Sequence, residues 1–166
     1  MKFQDSNATF AAYQEGRCEA ITSDRSQLAA KRTALPNPDD HVLLDDVLSK
    51  EPLGPVTINN DSRLFDVVRW TIYGLIQAEE FGITQANVQQ KLKDPNPDLQ
   101  NFLGVQGDLG KQLGLPNDYM VKVIEAVGNY GEIYERNVGK DSKLGIDRGL
   151  NKLWTDGGLM YAPPNR

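Results

Sequence analysis

The chain has 166 residues, 39% of them hydrophobic and 25% charged, with a formal net charge of −5. This is the composition of a globular chain with enough apolar residues for a core, not of a disordered segment. The acidic balance, with Lys31-Arg32 as the only adjacent basic pair, argues against nucleic acid, whose binders carry a positive footprint.

The first residues, Met1-Lys2-Phe3-Gln4-Asp5, lead into polar sequence with no apolar core of an export signal. No apolar run approaches the roughly 18 residues of a membrane span. Ser6 to Glu15 reads as a helix, capped by Ser6 or Asn7 and closed by Gly16. Cys18 to Thr22 is a short strand candidate. Asp24 opens a second helix running to about Arg32, with Gln27 in a capping-box position. Pro36 and Pro38 then force a loop, and Val42 to Leu44 is a second short strand candidate. Lys50 to Pro55 is too broken by proline and glycine for a regular element, and Val56 to Ile58 alternates as a third strand.

The strongest helix follows, Ser62 to about Glu80, with Leu64, Val68, Ile72, Leu75 and Ile76 on one face. Ile83 to Gly114 breaks into short helical pieces. Asn117 is positioned to cap a second long helix through Met120, Val123, Ile124, Val127 and Tyr130 to Tyr134. Gly128 and Gly131 inside it each cost about 1 kcal/mol relative to alanine, which points to a kink or a close backbone approach. Leu144 to Trp154 supports a further short helix ended by Gly157-Gly158, and Tyr161 to Pro164 is extended.

No constellation supports an enzyme. Neither a phosphate-binding G-x-x-x-x-G-K loop nor a G-x-S-x-G elbow occurs. The one cysteine, Cys18, and the one histidine, His41, are too few for a zinc site, and His41 beside an acidic proline-rich loop reads as a solvated residue. The pairs Asp39-Asp40, Asp45-Asp46 and Glu79-Glu80 read as surface carboxylates. Trp70 with Tyr73, and Tyr130 with Tyr134, read as core or inter-helix packing. No catalytic residue, metal or cofactor is expected.

Three stretches carry a resemblance: Gly16-Arg17-Cys18-Glu19-Ala20-Ile21-Thr22-Ser23-Asp24-Arg25-Ser26, Ser49-Lys50-Glu51-Pro52-Leu53-Gly54-Pro55, and Gly128-Asn129-Tyr130-Gly131-Glu132-Ile133-Tyr134-Glu135-Arg136-Asn137. With Gly149-Leu150-Asn151 and Tyr161-Ala162-Pro163-Pro164 after them, they resemble the periplasmic solute-binding proteins for polar and general L-amino acids that serve ABC transporters. The resemblance implies an α/β chain, helix-rich with a few short strands, forming an incomplete two-lobed periplasmic-binding-protein (type II) fold. Residues 1–50 would be part of the second lobe. Residues 51–166 would be the hinge crossing, at Lys50 to Gly54, and C-terminal helices packing on the first-lobe side.

By the same resemblance Asp24 would receive the α-ammonium of a bound amino acid, with Ser23 and Arg25 as weaker candidates. The alternative is local, because Asp24 is also well placed as an N-cap of its own helix. The family's N-terminal half, with the helix start that holds the ligand carboxylate, has no counterpart here, and Cys18 resembles a cysteine whose partner lies in that half. The implied partners are an L-amino acid, the membrane subunits of an ABC transporter, and either the N-terminal half or a second copy of the chain. The implied compartment is the periplasm. The chain alone would then bind amino acids weakly or not at all. A different reading is a non-enzymatic interaction module, or a lobe-swapped dimer, built on the surface the absent lobe leaves open.

Overall fold

The structure is a computed structural model that describes residues 2–164. It divides into two units, one of residues 2–53 with 138–146 and one of 54–137 with 147–164.

The first unit holds two helices. Helix α1 (Ser6–Gln14) is capped by Asp5, one residue before the expected caps, through a 2.8 Å bond from the Ala8 N–H to Asp5 Oδ1. Helix α2 (Arg25–Arg32) follows Asp24. Lys31 ties the two helices together: its ammonium bonds Asn7 Oδ1 at 3.2 Å and lies 5.4 Å from the Phe10 ring centre. His41 is half-buried, not simply solvated, and pairs through Nδ1 with the Tyr13 hydroxyl at 2.7 Å. Among the described residues of this unit the buried apolar side chains are Phe10, Ala12 and Ala29. That is a small core for its length.

The second unit is built on α3 (Ser62–Glu80), whose N-cap Asp61 accepts from the Leu64 N–H at 2.9 Å. The helical face read from the sequence is realised unevenly: Leu75 and Ile76 are buried, whereas Leu64 stays exposed. Short helices α4 (Val88–Lys91), α5 (Pro97–Phe102) and α6 (Leu109–Gln112) match the broken pattern after Ile83. With α7 (Tyr119–Val127) they enclose a core of Ala78, Ile83, Leu103, Met120 and Ile124, each at most 1% exposed. Gly74 lets α3 close on this core, since a β-carbon there would lie 2.6 Å from the Met120 sulfur. A second cluster of Ile76, Leu153 and Ala162 packs with Tyr73 and Tyr130.

Three expectations need correction. The helix expected from Asn117 to Tyr134 is two helices, α7 and α8 (Tyr130–Asn137), because Gly128 turns the backbone to φ 79°. Leu144 to Trp154 forms no α-helix: it holds the 3₁₀ turn Gly149–Asn151, and a second, Trp154–Asp156, starts at its end. The three short strands expected at 18–22, 42–44 and 56–58 have no regular structure; among the described residues the β-pairing is one isolated bridge, Leu153 to Met160. A strand exists only when a neighbour accepts and donates its backbone bonds, and local alternation cannot supply that neighbour. The helix-rich character stands.

Candidate functional site

Ser23-Asp24-Arg25 lie together where a segment without regular structure enters α2. Asp24 has φ −54° and ψ 135°, outside the helix, while its carbonyl accepts the Leu28 N–H at 2.8 Å and so starts the helical ladder. Its half-buried side chain makes no capping hydrogen bond. The capping role therefore falls away and the carboxylate oxygens are left for another donor. Gln27 does not close a capping box either; its Oε1 accepts the Ser23 hydroxyl. Arg25 is exposed at the first helical position. At the far end Arg32 donates Nε–H to the Pro38 carbonyl at 2.9 Å, and Lys31 and Arg32 sit where a helix dipole favours cations. The Asp24 carboxylate thus stands at the N-terminal end of α2, where it can receive an ammonium through short charge-assisted bonds.

A hollow of about 210 Å³ in the same unit is bordered by Phe10, Gln14, Lys31 and Leu35 and includes none of the three candidate residues. Among the described residues no three His, Cys, Asp or Glu side chains are placed to hold a metal ion. No helix among them is long and apolar enough to cross a membrane. Cys18 is a half-buried free thiol.

The stretch 128–137 plays a different part. Asn129 and Glu132 cap α8 reciprocally: the Glu132 N–H donates to Asn129 Oδ1 and the Asn129 N–H to Glu132 Oε2, both at 2.9 Å. Asn129, 5% exposed, also donates Nδ2–H to the Ile83 carbonyl at 2.8 Å, and Glu132 accepts from the Gln85 N–H at 3.0 Å. These residues hold α8 against the end of α3. Behind them Arg148 makes a two-pronged ion pair with Glu79 and lies 5.5 and 5.6 Å from the Tyr130 and Tyr134 ring centres. Burial disfavours the Arg148 charge, but its hydrogen bond to Glu79 and the attraction of that carboxylate outweigh burial and raise its pKa. Burial likewise raises the Tyr130 and Tyr134 hydroxyls, against the lowering effect of Arg148. Sequence reading missed this pair, whose members are 69 residues apart with no shared local pattern. The aromatic pairs turn out as packing: Trp70 and Tyr73 meet edge to face at 5.7 Å.

No protein-family model matches the chain. Over 158 residues, 94% of its length, it is 55% identical to the general L-amino acid-binding periplasmic protein AapJ of Rhizobium johnstonii. It is 49% identical over 152 residues to the glutamate/glutamine/aspartate/asparagine-binding protein BztA of Rhodobacter capsulatus. Among solved structures, an ABC transporter periplasmic binding protein from Brucella ovis with glutathione bound superposes with a TM-score of 0.93 at 51% identity over 99% of this chain. The chain is homologous to periplasmic amino-acid-binding proteins of ABC transporters. It spans about half the length of the curated relatives it matches, 46% of AapJ and 45% of BztA, and 52% of the Brucella ovis chain. The expected partial periplasmic-binding-protein fold is therefore present. Among the described residues the Asp24 side chain caps nothing, whereas the stretch 128–137 is occupied with holding helices together.

Proposed function

We propose that the chain is the C-terminal portion of a periplasmic amino-acid solute-binding protein and contributes one wall of its ligand cleft. Asp24 receives the α-ammonium of the ligand, with Ser23 and Arg25 beside it. The observation that carries this reading is that the Asp24 carboxylate stands half-buried at the start of α2 and caps nothing. An uncommitted carboxylate there matches the cationic end of a zwitterionic amino acid. The ligands named for the relatives support the same class. Free amino acids and glutathione, through its γ-glutamyl end, all present a free α-ammonium beside an α-carboxylate.

In this reading residues 1–50 are part of the second lobe, and residues 51–166 carry the crossing segment and the helices of the first-lobe side. A complementary N-terminal half supplies the opposite wall and the donors for the ligand carboxylate, and membrane subunits of an ABC transporter receive the loaded protein. Cys18 as a free thiol in the periplasm fits a partner cysteine in that half, since the periplasm favours disulfides. With one wall, the chain alone binds at millimolar strength or weaker, about 4 kcal/mol, against about 8 kcal/mol for a micromolar two-walled cleft.

Calorimetric titration with glutamate, glutamine, aspartate, asparagine and glutathione tests this, on the chain alone and on its complex with a complementary half. Asp24→Ala in the complex removes a charge-assisted contact of about 2–5 kcal/mol, a loss of about 30-fold or more in affinity. Unchanged affinity in the variant, or micromolar binding by the chain alone, overturns the assignment.

A further inference from the structure

Within the second unit, the C-terminal end of α3 and the segment 154–164 border a hollow of about 250 Å³. Among the described residues the charged side chains on it are Glu80 and Asp98, and neither makes an ion pair. Trp154 and Tyr161 stand beside them edge to face, with ring centres 6.0 Å apart, and are 51% and 60% exposed. Trp154 donates its indole N–H to Glu80 Oε1 at 3.3 Å. Gln77, one turn before Glu80 on α3, borders the same hollow. It is 8% exposed, and its amide oxygen is buried with no hydrogen-bond donor.

Separate features of this hollow ask for a cation that carries N–H groups. The C-terminal end of a helix has a partial negative charge that basic side chains commonly offset, and the last turn of α3 holds none. It holds Glu79 and Glu80 instead; Arg148 balances Glu79, whereas Glu80 has the Trp154 N–H. An acceptor buried without a donor is disfavoured, so Gln77 lacks an N–H group on the wall of the hollow. Indole and phenol faces attract cations. We propose that the hollow binds a primary organic ammonium ion, a free alkylamine. Its three N–H groups go to Glu80, Asp98 and the Gln77 oxygen, and its stem lies against Trp154 and Tyr161. The last torsion of a glutamine is soft, so the amide can turn its oxygen to the ligand. A zwitterionic amino acid fits poorly, because its carboxylate would meet two of the same sign. Asp24 belongs to the first unit, and the two assignments are independent of each other.

The probe is n-butylammonium chloride, added to the full chain at constant ionic strength. The indole N–H signals of Trp70 and Trp154 are followed by NMR, and Trp154→Phe identifies which is which. The expected result is a saturating shift of the Trp154 signal, half-complete at about 1–10 mM amine, while the Trp70 signal stays still. Tetramethylammonium, with the charge but no N–H group, needs about fivefold more for the same shift. Glu80→Gln/Asp98→Asn raises the half-saturation about tenfold and Gln77→Met about threefold. Neither variant lowers the tryptophan-fluorescence unfolding midpoint.

The proposal is overturned by a shift that grows in proportion to amine without saturating, or by tetramethylammonium matching the amine. It is equally overturned if the double variant and Gln77→Met both bind as the parent does. An excess of the portion of the Brucella ovis protein outside the matched region should leave the shift in place. Loss of the shift there would make a protein surface the occupant and overturn the free amine. Asp24→Ala should also leave it unchanged. A chain that takes the amine here but gives no heat with any amino acid in its complex keeps this site and sinks the Asp24 assignment instead.

Discussion

Replacing Arg148 with methionine isolates the contribution of the Glu79 ion pair. The two side chains are 12% and 16% exposed, the guanidinium spans both Glu79 oxygens, and Nη2–H also donates to the Asn151 carbonyl at 2.7 Å. Methionine fills similar volume but strands the Glu79 carboxylate beside Tyr130 with no counter-charge. Removing one partner of a buried pair costs about 3–5 kcal/mol, and the lost cation–π contact with two rings lies within that range. Trp70 and Trp154, the only two tryptophans, both belong to the second unit, so their fluorescence reports its unfolding selectively. With a urea slope of about 1.5 kcal/mol/M, a loss of about 3 kcal/mol lowers the midpoint by about 2 M. The double variant Glu79→Met/Arg148→Met recovers most of that loss, because a buried ion pair is often replaceable by apolar packing. A drop below about 1 kcal/mol for Arg148→Met would place the pair with ordinary surface bridges and refute the reasoning. No pH dependence near neutrality accompanies it. The arginine pKa is raised in the fold, so on the alkaline side its contribution is complete below the ordinary arginine value and is lost as pH rises through the higher folded value.

Other outcomes follow from the same packing. Asn129→Ala removes the reciprocal cap and leaves the Ile83 carbonyl unpaired, costing about 2–4 kcal/mol by the tryptophan-monitored midpoint. Gly104→Ala puts a β-carbon onto the Asn117 carbonyl at a φ of +70° and costs about 2–4 kcal/mol. Gly54→Ala, where a β-carbon meets nothing within 4 Å, changes the midpoint by less than about 0.5 kcal/mol. Burial favours the protonated hydroxyls of Tyr130 and Tyr134. Their stabilisation is therefore complete below the ordinary tyrosine value of about 10 and is lost as pH rises through their higher folded values. In near-ultraviolet tyrosinate titrations, the phase lost in Tyr130→Phe or Tyr134→Phe should lie above pH 10 or so.

Helices α1, α2 and α3 were legible in the sequence because their signals are local. The apolar period placed α3 at the residues where it lies, although its cap, Asp61, was not read. What could not be read locally was what each element meets. Alternation at 56–58 announces a strand, but a strand is a property of two segments, and no described segment pairs with it. Asn117 has the type and position of a cap. Its amide instead donates to the Gly104 and Gly107 carbonyls at 2.9 and 3.0 Å and accepts from the Gly110 N–H at 3.2 Å, a demand of the glycine loop rather than of the helix. Gly128 was visible as a weakness in a helix. That Asn129 and Glu132 exploit it to start a new one depends on Ile83 and Gln85, more than forty residues earlier in the chain. At Asp24 the sequence left two roles for one carboxylate, and the structure withdraws one of them.

The second unit is also interrupted: its chain leaves after Asn137 and returns at Asp147 with the residues that close the cluster around Ile76. On a ribosome this imposes a waiting time. Glu79 is synthesised 69 residues before Arg148, which at about 5–20 residues per second is an interval of about 3–14 s. Throughout it α3 can form and collect the helices up to α8, yet Glu79 has no counter-charge and Ile76 lacks Leu153 and Ala162 as cover. The nascent chain is therefore most exposed to misassociation and proteolysis after most of the unit has emerged, and arrival of the segment from Asp147 onward ends that window.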